Sequence, residues 1–147
     1  MVPGLSQIML HQKRLFHALC LLGSVLSASA TTAYYLDVNG SAAGSGVTNG
    51  GVYDAGGTNW STDSTGGSAC GLFSGRNLPV FSAGTDAAGL SYTITGNIGQ
   101  TSGGLVVQDG NVTFNASGTF FGGGTVSTAP GTSLNFAPAI WDFTVTP

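Results

Sequence analysis

From Gly89 onward, apolar and polar residues alternate along the chain. Ser91–Thr95 sets Tyr92 and Ile94 between Ser and Thr. Asn111–Asn115 sets Val112 and Phe114 between Asn and Thr, and SLNF repeats the pattern with Leu134 and Phe136. A period of two is what a half-buried strand requires, because successive side chains leave opposite faces. Before Gly89 the apolar pieces are shorter (YYLDV, GVYD, NW, VF), and Gly-rich turns separate them. Asn39-Gly40 and Asn49-Gly50 are strong turn dipeptides. No helix-period segment follows Ala30.

The alternating pieces also repeat. Aligned, Tyr92 and Ile94 fall above Val112 and Phe114, and those above Leu134 and Phe136. Leu105 and Val126 form a second column. The period is about 21 residues, the mark of a solenoid. Leucines at the fixed positions of a leucine-rich repeat are missing. The pattern predicts an all-β parallel β-helix, a short solenoid with coils of about 21 residues, its inward residues stacking and its corners turned by glycine. Residues 31–88 would form an N-terminal capping region of short strands and Gly-rich turns, and residues 89–147 the coils.

Composition fits strands joined by tight turns. Only 6% of the 147 residues are charged and 25 are glycine, yet 41% are apolar. A disordered chain is instead poor in apolar residues and rich in charge. Residues 1–30 read as a secretory signal peptide. Lys13 and Arg14 precede an apolar run from Leu15 to Leu26, and Ala28-Ser29-Ala30 matches the small-residue cleavage pattern, with Ala28 and Ala30 as its key positions. The run is too short for a membrane span of about 20 residues, and the mature chain holds no transmembrane segment. An uncleaved anchor or a buried helix is the other reading. Met9 is an alternative start.

After Ala30 the chain has one basic residue, Arg76, against six Asp, and no His or Lys. That balance excludes nucleic-acid binding, which needs a basic face to displace counterions. It also excludes a Ser-His-Asp set and a Cys/His metal cluster. Cys70 is the lone mature cysteine and reads as a small buried hydrophobe. Sugar hydrolysis would need two facing carboxylates. Asp54, Asp63, Asp86 and Asp109 sit instead among Gly, Ser, Thr and Asn, where Asp stabilises turns. Calcium at isolated turn Asp residues stays open. Gly122 to Gly124 is no phosphate loop, since no Lys follows. Tyr53, Trp60 and Trp141 are candidate ligand-stacking aromatics. The plainer reading has Tyr53 and Trp60 plugging the N-terminal end of the fold.

The order of several motifs resembles a known family. TTAYYLDVNGSAAGSG, GGTNWSTDSTGG, PVFSAGTDAAG, YTITG and LVVQDGNVTF are similar to the opening of bacterial proteins with autotransporter-associated β-strand repeats. The matching positions are Tyr35, Asp37, Asn59, Trp60, Val80, Phe81, Ser82, Gly84, Thr85 and Asp86. The family's later G-x-G-x-L-x-L-S units and C-terminal barrel have no counterpart here, so the chain reads as a truncated opening segment. The resemblance implies a right-handed β-helix of passenger type, secreted or displayed at the bacterial cell surface. The expected function is therefore non-enzymatic, structural or adhesive, with no cofactor and no metal. The alternative is a carbohydrate-binding module of an extracellular polysaccharide-using system. The expected partners are surface glycans or further copies of the chain.

Overall fold

The computed structural model describes residues 31–101, 103–120 and 124–137. The expected signal peptide, with Ala28 and Ala30, and Trp141 lie outside the described residues. So do Gly122 and Gly123.

Among the described residues nine strands follow one another: β1 (Ala33–Leu36), β2 (Val52–Asp54), β3 (Trp60–Ser61), β4 (Leu78–Phe81), β5 (Ser91–Thr101), β6 (Gly104–Val107), β7 (Asn111–Phe120), β8 (Thr125–Thr128) and β9 (Ser133–Phe136). They form two sheets. One is five-stranded and mixed, in the order β3-β1-β4-β6-β8. The other is four-stranded, in the order β2-β5-β7-β9, and all its pairings are parallel. In the mixed sheet only β3 runs against its neighbour β1, pairing Leu36 with Trp60.

This corrects the solenoid expectation. The chain makes a small, mostly stranded body of one mixed and one parallel sheet, with no helix among the described residues, and not a right-handed β-helix of regular 21-residue coils. The antiparallel β3 breaks a uniform winding. Strand lengths run from 2 residues in β3 to 11 in β5. From residues 31–88, β1 and β4 lie inside the mixed sheet, between β3 and β6. Lateral stacking explains the mismatch. Tyr92 pairs with Val112 and Val112 with Leu134, while Leu105 pairs with Val126. The repeat therefore records which strands are neighbours, but that does not dictate how the chain closes.

Burial follows the alternation. Tyr92, Ile94, Val112, Phe114 and Ala116 are buried, as are Leu105 and Val107 from the other sheet. Asn115 is exposed and Thr113 half-buried. Side chains of both sheets meet in one core through aromatic contacts. Trp60 packs on Phe73 and Phe81, with ring centres 5.2 and 5.6 Å away. Phe81 of the mixed sheet meets Phe114 of the parallel sheet at 5.9 Å, and Phe114 meets Phe136 at 6.0 Å. The turn from β6 to β7 shows why glycine is needed. Gly110 has φ +81°, and a Cβ there would lie 2.8 Å from the ring of Tyr92.

Phe81→Ala is expected to destabilise the fold by roughly 3–5 kcal/mol, the usual cost of emptying a buried aromatic site. Leu72→Ala, at a position 64% exposed, should stay within about 0.5 kcal/mol of the parent. Urea unfolding followed by circular dichroism measures both.

Candidate functional site

The polar residues concentrate where three turns meet: the loop after β1 (37–46), the turn after β3 (62–67) and the loop after β4 (82–89). Gly44 N–H donates to Thr65 O at 2.8 Å, and Gly84 N–H donates to Ser64 O at 2.8 Å. The backbones approach so closely that a Cβ on Gly66 would collide with the carbonyl of Gly44. Gly44 itself has φ +90°, and a Cβ there would lie 2.6 Å from the Asp86 carboxyl carbon. Ala43, Gly44, Thr65, Gly84, Thr85 and Asp86 line an open cleft of about 450 Å³ at this junction.

Asp86 clasps the first loop from a distance of 41 residues. Its Oδ1 accepts Ser45 N–H at 2.7 Å and the Ser45 hydroxyl at 2.9 Å, and its Oδ2 accepts Gly46 N–H at 3.0 Å. Burial alone would raise its pKa. The donated bonds from Ser45 and Gly46 outweigh that and hold the carboxyl below the ordinary carboxylate range. Asp63 is held low as well, by the N–H and hydroxyl of Thr65 and then by Ser68.

Asp37 is the opposite case. It is fully buried, and burial pushes its carboxyl up despite the N–H donated by Asn39. Its Oδ2 has no hydrogen-bond partner. The Cys70 thiol donates to the Asp37 carbonyl at 3.2 Å. Burial followed by the Asp37 carboxyl pushes the thiol pKa up, so Cys70 is a poor nucleophile at neutral pH.

The other carboxylates serve their own turns. Asp54 Oδ1 accepts Gly56 N–H at 2.8 Å and Asp109 Oδ1 accepts Gly110 N–H at 3.0 Å. No protein-family model, curated protein or solved structure matches the chain. Among the described residues, no group of three or more His, Cys, Asp or Glu side chains is placed to hold a metal ion.

The aromatic candidates are separated. Trp60 is 1% exposed, walled by Phe73 and Phe81, and its Nε1–H donates to Ala55 O at 2.9 Å. It has no open face for a sugar ring. Tyr53 is half-buried, stands edge-on to Tyr92 at 6.2 Å, and accepts Thr48 N–H at 2.7 Å through its hydroxyl. Trp60 is thus a core packing residue, while Tyr53 packs against Tyr92 and keeps part of its surface open. A second cleft, of about 360 Å³, lies beside Leu72 and Phe73 and is otherwise lined by Ala55, Gly56, Asn97, Ile98 and Gly99. Sequence reading did not anticipate the convergence of Asp37, Asn39 and Asp86. The one available signal was the run of small residues from Gly40 to Gly46.

Asp86→Ala is expected to cost about 1–2 kcal/mol at neutral pH, since it removes charge-assisted bonds at a partly solvated site. The folded carboxyl titrates below its unfolded value of about 3.9. Its contribution is therefore present above that value and fades as pH falls through the lower, folded one. Urea midpoints of parent and variant should differ at neutral pH and converge in acid.

Proposed function

We propose that the chain is a non-enzymatic secreted or cell-surface protein whose role is structural or adhesive, exercised by joining to further copies of itself. The leader-like residues 1–30 and the resemblance to autotransporter-associated repeat proteins support the compartment. The use of Asp54, Asp63, Asp86 and Asp109 as clasps supports the absence of catalysis, because the first, second and last are engaged by N–H groups of their own turns and Asp86 by those of the loop after β1.

The observation that carries the reading is the outer strand β8. It is the last strand of the mixed sheet, and among the described residues it pairs only with β6. All four of its residues are exposed. Val126 is 43% exposed, whereas its lateral neighbour Leu105 is fully buried. An open edge of this kind is a template for another strand. Natural edges are commonly protected by a charge, but no charged residue occurs from Asn111 to Ala137. The described acids, Asp37 to Asp109, all belong to earlier segments. In an acidic chain, this uncharged edge is where two copies meet without repulsion, so the favoured occupant is a second copy.

Size-exclusion chromatography with light scattering tests the reading. The parent chain is expected to self-associate in a concentration-dependent way. Val126→Lys, an exposed charge on the edge, should shift the mass to that of a single chain with an unchanged circular dichroism spectrum. A parent that stays monomeric at high concentration overturns the reading. Trp fluorescence titrated with a glycan panel checks the carbohydrate-binding alternative, and the buried Trp60 predicts no response from that residue.

A further inference from the structure

The two ends of the stacked sheets are built differently. On one side the sheets end in β3 and β2, and on the other in β8 and β9. The β3 edge is taken. Asn59 O faces β1, where it accepts Asp37 N–H, so the backbone groups of Trp60 face the other way. There Trp60 N–H donates to Gly71 O at 3.1 Å and Gly71 N–H to Trp60 O at 2.8 Å. The β2 edge is three residues long and carries Asp54. The turn after it folds back on that edge: the Asp54 carbonyl accepts Gly57 N–H at 3.2 Å and the Asn59 side-chain amide at 3.4 Å. Shortness, a charge and covering chain are the means by which sheet edges refuse another strand.

The opposite end has none of these among the described residues. There β8 pairs only with β6 and β9 only with β7, and no charged residue occurs from Asn111 to Ala137. The core is also less covered at this end. Leu134 and Phe136 of β9 are half-buried, whereas their lateral neighbours Val112 and Phe114 are buried. We propose that two copies join tail to tail, β8 against β8 and β9 against β9, about a two-fold axis through both sheets, and that the assembly closes at two. The proposal rests on the self-association reading of β8 and names the surface of the second copy that β8 meets.

A two-fold axis brings the same patch of both copies together. Each end strand then meets its own counterpart antiparallel, a pairing that needs no crossover chain. Facing residues of such a pair share a face of the sheet, so Val126 or Ser127 meets its own copy at the axis. Leu134 and Phe136 are covered by their counterparts, and uncharged strands lie against uncharged strands. A head-to-tail join is the competing arrangement. It would seat β8 on β3, whose outward groups are spent on Gly71, and β9 on β2, which carries Asp54. It would also leave one end free for the next copy and grow a filament, whereas the tail-to-tail pair leaves only the two covered ends outside.

The test is a charge swap on the full chain, read by light scattering over a concentration series. Ser127 is exposed and alternates with Val126, which continues the column of the buried Leu105, so a charge at Ser127 leaves the core alone. Ser127→Lys and Ser127→Glu each set like charges across a tail-to-tail junction, and an equal mixture sets opposite ones. The parent mass is expected to rise with concentration and level off at two chains. Each variant alone should need a several-fold higher concentration to associate, and the mixture should recover the two-chain mass where neither variant does. A parent that grows past two chains without levelling, with no recovery on mixing, overturns the tail-to-tail pair and leaves self-association standing. A two-chain parent whose mixed variants stay single also overturns it, because β8 then does not face β8. A parent that stays monomeric throughout overturns both readings.

Discussion

Contact between Phe81 and Phe114 joins two sheets that otherwise have separate hydrogen-bond ladders. The contact belongs to a file of rings running from Tyr34 through Phe73, Trp60, Phe81 and Phe114 to Phe136, with neighbouring centres 5.2 to 6.0 Å apart. The neighbours are edge-on or tilted, the arrangements that aromatic quadrupoles favour, each adding about 0.5–1.5 kcal/mol beyond buried area. The chain needs such a file. It has few charges, so ion pairs contribute little, and 25 glycines that each lose more backbone freedom on folding than other residues would. Large rings supply much buried area from few positions. With the core fixed by them, the surface strands can consist of Thr, Ser and Asn.

Around that core, the carboxylates act mostly over short distances. Asp54 and Asp63 hold N–H groups two residues ahead, and Asp109 that of the next residue. Asp86 is the exception, reaching Ser45 across 41 residues. It thereby couples the loop after β1 to the loop after β4, two segments whose strands are parallel neighbours in the mixed sheet. The junction is thus held by one side chain and by close backbone packing at Gly44, Gly66 and Gly84.

Some of this was legible in the sequence and some was not, for physical reasons. Alternation placed Tyr92, Ile94, Val112 and Phe114 on a buried face, and the spacing of like residues named their lateral partners, because both depend on local side-chain direction. The closure of the fold was not legible. The antiparallel turn that sets β3 beside β1 depends on long-range backbone bonds, such as Asp37 N–H to Asn59 O at 2.9 Å, that leave no period. Trp60 could be read as a plug or a platform until its walls, Phe73 and Phe81, were known.

The interleaving of early and late strands has one more consequence. Arg76 lies in an exposed turn between β3 and β4, and it is the only lysine or arginine after Ala30. A trypsin-like protease would therefore nick this body once. The two pieces would remain laced together, because β1 lies against β4 and β2 against β5 along parallel ladders on opposite sides of the cut. Each sheet thus holds strands from both sides of the cut, and neither sheet belongs to one piece alone.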